Sequence, residues 1–196
     1  MHAIIVTSHP NPGSLTHAVA ARIADGITGS AGGHSCEFAD LAAEAFDPRY
    51  TQDDIALMLG QAEPTADVAA EHARLDRADA LVIVYPVYWW SMPAQLKGWI
   101  DRVFTNGWAY SDSGDGKIIK KLETLKVHLV AIGGADMRTY ARHGYFGAMR
   151  TQIDHGIFGY CGAKVLTSEL MVPDNAKDFA HHLDTAYTLG SRIFPA

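Results

Sequence analysis

The sequence has few cysteines and no long hydrophobic run. It holds two cysteines, Cys36 and Cys161, whose separation fits no metal-binding or redox motif. We therefore expect both thiols to be free in a reducing cytoplasm, and we expect no metal site. The longest apolar runs have about the length of a strand, so no segment is predicted to span a bilayer. Polar residues follow the amino terminus too soon for a signal peptide.

Basic residues are not in excess either. Asp and Glu number 22 against 16 Lys and Arg, which gives a formal net charge of −6. This balance argues against nucleic acid or an anionic membrane as a partner. With 48% hydrophobic and 19% charged residues, the composition is that of a folded protein, and its 196 residues are predicted to form one domain.

Several motifs of nucleotide-binding and hydrolytic proteins are absent. The chain contains no GxGxxG pattern, no Walker Gly-Lys-Ser/Thr pattern and no GxSxG elbow. These absences disfavour a Rossmann dinucleotide site, a nucleoside triphosphatase and an α/β-hydrolase.

The chain does contain a regular alternation of short apolar runs and helical patterns, which predicts a doubly wound parallel sheet with helices on both faces. The predicted strands are residues 2–7, 34–39, 81–86, 127–134 and 163–172. The predicted helices are residues 15–28, 52–60, 67–78, 93–104 and 174–194, the last with Asp174 or Asn175 as its N-cap, and residues 107–121 are predicted to be a polar loop.

Three loops follow the predicted strands at the carboxyl edge of the sheet, where doubly wound folds bind ligands. The first, residues 8–14, leads into a helix whose free N–H groups and dipole suit an anion. Ser14 and Thr16 add hydroxyl groups, and His9 could add another donor. The alternative is that Ser14 merely caps the helix.

The other two loops are residues 86–92 and 132–147. Five of the nine positions from Tyr85 to Pro93 are aromatic or Met, and two prolines fix the backbone, which would suit a flat hydrophobic ligand. The alternative is a packed or dimer-facing aromatic patch. In the last loop Gly133 and Gly134 would let a ligand approach the backbone, and a plain turn before a helix is the alternative.

Four segments resemble one known family: SHPNPGSLTHA, YPVYWWSMPAQLKGWIDRVFTNGWAY, AIGG and GIFGYCGAKVL. From residue 2 to about residue 172 the chain is similar to the flavodoxin-like NAD(P)H:quinone oxidoreductases. That family includes DT-diaphorase, the modulator of drug activity B proteins and the ancillary oxidoreductases of potassium-efflux systems. The resemblance implies an α/β, flavodoxin-like fold with a doubly wound five-stranded parallel sheet in the order 2-1-3-4-5.

The resemblance also implies a flavin site in two parts. One part, which would hold the flavin phosphate, consists of His9, Ser14, Leu15 and Thr16. The other part would line the isoalloxazine ring and consists of Pro86, Val87, Tyr88, Trp89, Trp90, Ala131, Ile132, Gly133 and Gly134.

Two catalytic candidates follow from the same resemblance. Tyr140 matches the family tyrosine that polarises the flavin near N1/O2. The catalytic histidine of the family falls near Phe146 here, and His143 is the nearest substitute. The backbone N–H groups of Gly133 and Gly134 would stabilise negative charge on the same edge of the flavin.

The implied activity is the transfer of two electrons from NAD(P)H, through the flavin, to a quinone or a similar acceptor. The implied cofactor is FAD, with FMN as the alternative, and NAD(P)H is the co-substrate. A homodimer is expected, in which Trp108 and Tyr110 could cross over to the partner. Two other interpretations remain open: a regulatory subunit that binds a potassium-efflux channel in the membrane, and a flavodoxin-like electron shuttle.

Overall fold

The computed structural model describes residues 1–112, 114, 116–173 and 180–194 and is built around a parallel sheet. Its strands, in chain order, are β1 (His2–Thr7), β2 (Ser35–Asp40), β3 (Ala80–Pro86), β4 (Tyr110–Asp112), β5 (Ile118–Lys120), β6 (Lys126–Ile132) and β7 (Lys164–Met171).

Five of these strands form the sheet in the order β2-β1-β3-β6-β7, and every neighbouring pair is parallel. Counted within the sheet, this order is 2-1-3-4-5. The predicted flavodoxin-like doubly wound fold is therefore confirmed. Because the order reverses beside β1, the loops after β1 and β3 diverge there and leave room for a ligand.

The helices predicted before residue 105 lie where the apolar periodicity placed them, with small differences at their ends, whereas the three helical segments between residues 137 and 159 had no predicted bounds. They are α1 (Leu15–Thr28), α2 (Gln52–Met58), α3 (Ala66–Leu75), α4 (Ala94–Val103), α5 (Met137–His143), α6 (Tyr145–Arg150), a π-helix at Thr151–Gly159 and α7 (Ala180–Gly190). The predicted N-cap at Asp174 or Asn175 lies outside the described residues.

Two hydrophobic layers cover the two faces of the sheet. Strand β3 is buried along its whole length because its side chains alternate between the layers. Leu81 and Ile83 belong to the layer that contains Trp99, whereas Val82 and Val84 belong to the layer that contains Ile23. This explains why β3 reads as an uninterrupted apolar run.

Two loop predictions were wrong. The predicted polar loop at residues 107–121 contains the antiparallel hairpin of β4 and β5, which lies outside the main sheet. The predicted third loop ends early, because α5 begins three residues after Gly134 and α6 follows it. Asp136 caps α5 by accepting a hydrogen bond from the Thr139 N–H at 2.9 Å. This N-cap was a local sign of a helix, but the glycine pair before it favoured the interpretation as a loop.

Within the described residues, no helix combines the length and the hydrophobicity that crossing a membrane requires. No group of three or more His, Cys, Asp or Glu side chains in this part of the chain is arranged to hold a metal ion.

Candidate functional site

A cleft of about 170 Å³ opens at the carboxyl edge of the sheet, beyond the ends of β3 and β6. The parallel register places Pro86 opposite Ile132, so the two loops that follow these strands leave the sheet side by side. The residues that line the cleft are Val87, Trp89, Trp90, Gly134, Ala135 and Tyr140. Five of these six were predicted, and the structure brings them together from two separate loops.

A tight turn at Trp89 and Trp90 forms one wall of this cleft. Tyr88 and Ser91 exchange backbone hydrogen bonds of 3.0 and 3.1 Å across it. Trp89 and Trp90 both have positive φ, of 50° and 61°, a conformation that costs of order 1 kcal/mol or more for each bulky residue. Strain of this kind is typical of ligand-binding segments.

The same turn presents unpaired polar groups. Neither the Trp89 N–H nor the Trp90 N–H donates a hydrogen bond to a described residue. The Trp89 ring is 92% exposed, whereas the Trp90 ring is half-buried. The turn therefore combines an aromatic surface with two free backbone donors.

The glycine pair forms the opposite wall, but the structure uses its two N–H groups differently. Gly133 donates to the carbonyl of Met171 at 2.8 Å, so its N–H extends the sheet and does not face a ligand. The prediction that both glycines donate to a ligand is therefore wrong for Gly133. At Gly134 the space that a side chain would occupy is open, so a ligand can approach its backbone closely.

Tyr140 closes the inner end of the cleft. It is 1% exposed, and its ring contacts Trp90 edge-on with centroids 5.3 Å apart. Its hydroxyl lies over Gly133, so close that a Cβ on that residue would be 2.6 Å from the Tyr140 oxygen. Burial raises the pKa of Tyr140, so the phenol keeps its proton near neutral pH and can donate it in a hydrogen bond.

His143 lies outside the cleft. It is exposed at the end of α5, and its ring stacks on Tyr145 with centroids 5.1 Å apart. Tyr145 in turn stacks on Trp90 at 3.8 Å. Sequence reasoning missed Ala135 and Tyr145. The only signal for Ala135 was its position directly after the glycine pair. The only signal for Tyr145 was its position in the first turn of a helix.

The loop after β1 leads directly into the first turn of α1. Ser14 is the N-cap of this helix and accepts a hydrogen bond from the His17 N–H at 3.4 Å. The N–H groups of Leu15 and Thr16, in the first turn, donate to no described residue. His9 Nδ1 accepts from the Asn11 N–H at 3.0 Å, which leaves the proton of a neutral ring on Nε2.

Two further residues beside this loop were not predicted. His17 Nδ1 lies 2.8 Å from Ser14 Oγ, and its Nε2 lies 2.9 Å from Asp40 Oδ2 at the end of β2. His17 is part of the motif SHPNPGSLTHA, but nothing in the sequence showed that Asp40 would reach it.

The remaining predicted residues have structural positions around the cleft. Pro86 is buried at the end of β3, and the Val87 N–H donates to the Ile132 carbonyl at 2.8 Å. Ala131 belongs to the buried core, so its side chain does not reach the cleft. Tyr88 is exposed at the rim, and Leu15 and Thr16 begin α1 with Leu15 packed against the core.

Comparison with known proteins places this geometry in a family. The model of a family described as having a flavodoxin-like fold matches residues 1–188. The chain therefore belongs to the flavodoxin-like family.

Within that family it is a member of the NAD(P)H:quinone oxidoreductase group. It is 31% identical over 189 residues to a ribosyldihydronicotinamide dehydrogenase [quinone] of Pongo abelii, an alignment that covers 85% of this chain and 79% of that protein. It is 36% identical over 152 residues to the uncharacterized NAD(P)H oxidoreductase YcaK of Escherichia coli K12, covering 72% of this chain and 68% of that protein.

Solved structures agree with this assignment. The NAD(P)H:quinone oxidoreductase of Methanothermobacter marburgensis superposes with a TM-score of 0.89 at 27% identity and covers 99% of both chains. An FMN-dependent NADH-azoreductase of Bacillus anthracis, solved with FMN, has a TM-score of 0.72 at 13% identity over 98% of this chain and 97% of that one. The second similarity shows the common fold.

Proposed function

We propose that this protein is a flavin-dependent NAD(P)H:quinone oxidoreductase, which moves two electrons from NAD(P)H to a quinone or a similar acceptor. The observation that carries the proposal is the cleft between the Trp89-Trp90 turn and Gly134. It joins an aromatic wall, free backbone donors and an open approach to glycine at the ligand-binding edge of the sheet. A buried tyrosine hydroxyl completes this donor set.

The residues of the site fit a flavin in both of its parts. The free N–H groups of Leu15 and Thr16, with the Nε2–H of His9, suit the phosphate. The free N–H groups of Trp89, Trp90 and Gly134 would serve as donors to the polar edges of an isoalloxazine ring. We propose FAD as the cofactor, on the resemblance to the DT-diaphorase family, with FMN as the alternative that cofactor release would reveal.

A bound flavin supplies the hydride-accepting and electron-donating chemistry. The protein supplies position and electrostatics. The Trp89-Trp90 turn would hold the ring of a bound flavin through its two free N–H groups, and the exposed Trp89 ring would lie beside the space that substrates enter. Tyr140 and the Gly134 N–H would stabilise negative charge on a bound flavin, because fixed donors in a dry site act most strongly.

The test is cofactor release followed by an activity assay. Denaturing the purified yellow protein should release FAD or FMN, which mass spectrometry distinguishes. The holoprotein should then oxidise NADPH or NADH when a benzoquinone is present. A colourless protein that takes up neither flavin would contradict the proposal, and a flavoprotein that does not consume NAD(P)H with a quinone would indicate an electron shuttle.

Replacing Tyr140 with phenylalanine is expected to slow flavin reduction while the flavin stays bound. The change removes one donor to developing charge, and the Gly134 N–H remains, so we expect about a tenfold loss, or ~1.4 kcal/mol of barrier. Stopped-flow bleaching of the flavin by NAD(P)H measures this rate. His143→Ala is the matched control, since His143 lies outside the cleft, and should change the rate much less. Equal rates in all three proteins would mean that Tyr140 is a wall of the cleft and no more.

We also propose that the protein is a homodimer, because one apolar surface is left uncovered. Tyr50, Met58 and Tyr110 line the same groove, and the Tyr110 and Tyr160 rings contact each other at 5.4 Å. Tyr50, Met58 and Tyr160 are exposed. Exposed aromatic and methionine side chains rimmed by polar residues, here Asp101, Thr105 and Asn106 of the same groove, are typical of a subunit interface.

Trp108, which was predicted to cross over to the partner, is held by its own chain. Its ring stacks on His72 at 4.4 Å, and its Nε1–H donates to Asp76 at 2.9 Å.

The homodimer is tested by its mass in solution. Light scattering at micromolar concentration should give twice the chain mass, and Met58→Glu should shift the mass toward that of the monomer. Leu166→Glu, a change on the exposed edge strand β7, is the control and should leave the mass unchanged. A fully active monomer would contradict the dimer.

A further inference from the structure

The loop proposed to hold the flavin phosphate has no side chain of permanent positive charge. Residues 8–17 contain no lysine or arginine, and their ionisable side chains are those of His9 and His17. The dipole of α1 offers roughly half an elementary charge at its amino terminus. The phosphate of FMN, a monoester, carries a charge of about −1.5 to −2 near neutral pH, and each of the two phosphates of FAD carries a charge of about −1, so the helix alone leaves either flavin incompletely neutralised.

His17 connects this loop to a fixed carboxylate. Its Nε2 lies 2.9 Å from Asp40 Oδ2, and the other oxygen of Asp40 accepts from the N–H groups of Ala42 and Ala43, each at 3.1 Å. Burial opposes ionisation of Asp40, but the hydrogen bonds from His17 and from these N–H groups outweigh it, and the pKa of Asp40 is lowered. Asp40 is therefore an ionised acceptor, and it keeps a proton on His17 Nε2.

This contact determines whether the Ser14 hydroxyl is free to donate a hydrogen bond to an anion. With the ring neutral and its proton on Nε2, His17 Nδ1 is an acceptor, so the Ser14 hydroxyl donates to it across 2.8 Å. The serine hydrogen then points away from a phosphate. When Nδ1 takes up a proton, the bond reverses: Nδ1–H donates to Ser14 Oγ, and the serine hydrogen becomes free to donate to the phosphate.

We propose that protonated His17 supplies the positive charge of the flavin phosphate site. Because Asp40 holds the proton on His17 Nε2, the protonation state of Nδ1 determines whether the Ser14 hydroxyl donates to His17 or to the phosphate. This inference rests on the proposed function. Proton uptake adds a charge beside the phosphate and supplies one more donor to it, so flavin binding and protonation of His17 strengthen each other. Of the titratable groups in the described residues, Asp40 from β2 and His9, whose ring lies edge-on at 6.3 Å, face this imidazole.

The test is flavin affinity as a function of pH. Apoprotein is titrated with FAD, or with FMN if that is the flavin released, and the quenching of flavin fluorescence gives Kd from pH 6 to pH 8.5. We expect Kd to rise about tenfold over this range, because raising the pH removes the second ring proton of His17 and with it the positive charge beside the phosphate. Riboflavin, which has no phosphate, should show no such rise. His17→Gln should bind weakly at every pH, with a flat profile.

The matched control is His2→Gln. His2 has a similar environment at the opposite end of β1, with Ser35 Oγ at 2.9 Å and Glu37 Oε2 at 3.7 Å, and its loss should leave the pH profile unchanged. Circular dichroism establishes that both variants fold. A wild-type profile in His17→Gln, or an equal pH dependence for riboflavin, would overturn the inference while the proposed function stands. A failure of the wild-type protein to bind any flavin would overturn both.

Discussion

Replacing Ser14 with aspartate is expected to abolish flavin retention and to leave the fold intact. Ser14 caps α1 immediately before the free N–H groups of Leu15 and Thr16, where we place the flavin phosphate. Aspartate is as good an N-cap as serine, so the helix should still form. It would, however, put a fixed negative charge beside the phosphate, and two like charges about 4 Å apart near a protein surface repel by about 4 kcal/mol.

Ser14→Asn is the matched control, because asparagine has the same shape and caps equally well but has no charge. We expect the purified aspartate variant to be colourless, with flavin affinity weakened by at least about 100-fold relative to the asparagine variant. Absorbance of the purified proteins at the flavin band and a fluorescence titration measure this. If both variants retain flavin equally, Ser14 is a helix cap and the phosphate lies elsewhere.

Replacing Arg102 with methionine is expected to cost about 3–5 kcal/mol of unfolding free energy. Arg102 on α4 is buried, and its Nε–H donates to both oxygens of the buried Asp54 at 3.1 and 3.2 Å. It also donates to the Asp47 carbonyl at 2.9 Å and pairs with Asp67 at the start of α3. Its removal leaves Asp54 buried without its countercharge. Urea denaturation measures the loss.

Arg22→Met is the control, since the Arg22–Asp25 pair is at the surface and should contribute less than about 1 kcal/mol. Adding Asp54→Asn to Arg102→Met should recover part of the loss, because it removes the uncompensated charge. A loss in Arg102→Met no greater than in Arg22→Met would show that water reaches Asp54.

The ion pair between Arg102 and Asp67 predicts how the stability of the fold responds to acid. The hydrogen bond from Arg102 lowers the pKa of Asp67 from its usual 3.8 to about 2. A carboxyl with a lowered pKa stabilises the fold above its unfolded pKa, and this stabilisation is lost as the pH falls from about 4 toward 2. The loss over that interval should be smaller in Arg102→Met than in the wild type.

The five main strands and most helix positions could be predicted from the sequence because both depend on local patterns, whereas the strand order came from the family resemblance. Strand β3 reads as a continuous apolar run since both of its faces are covered, and α1 shows its buried side at Val19, Ile23 and Ile27. The family motifs then predicted which loops would form the ligand site. The structure places Val87, Trp89, Trp90, Gly134 and Tyr140 around one cleft, as that reasoning requires.

What the sequence by itself determined about this protein is therefore its alternating α/β architecture, its membership of a family and the residue types at the edge of the sheet. The tertiary structure decided how each backbone donor is used. Gly133 and Gly134 are adjacent and chemically identical, yet the Gly133 N–H is taken by Met171 on β7, 38 residues away, and the Gly134 N–H is not. The contact of Asp40 with His17 likewise depends on β2 lying beside β1. Hydrogen bonds between distant segments leave no periodic signal along the chain, because their partners are set by strand register and not by spacing.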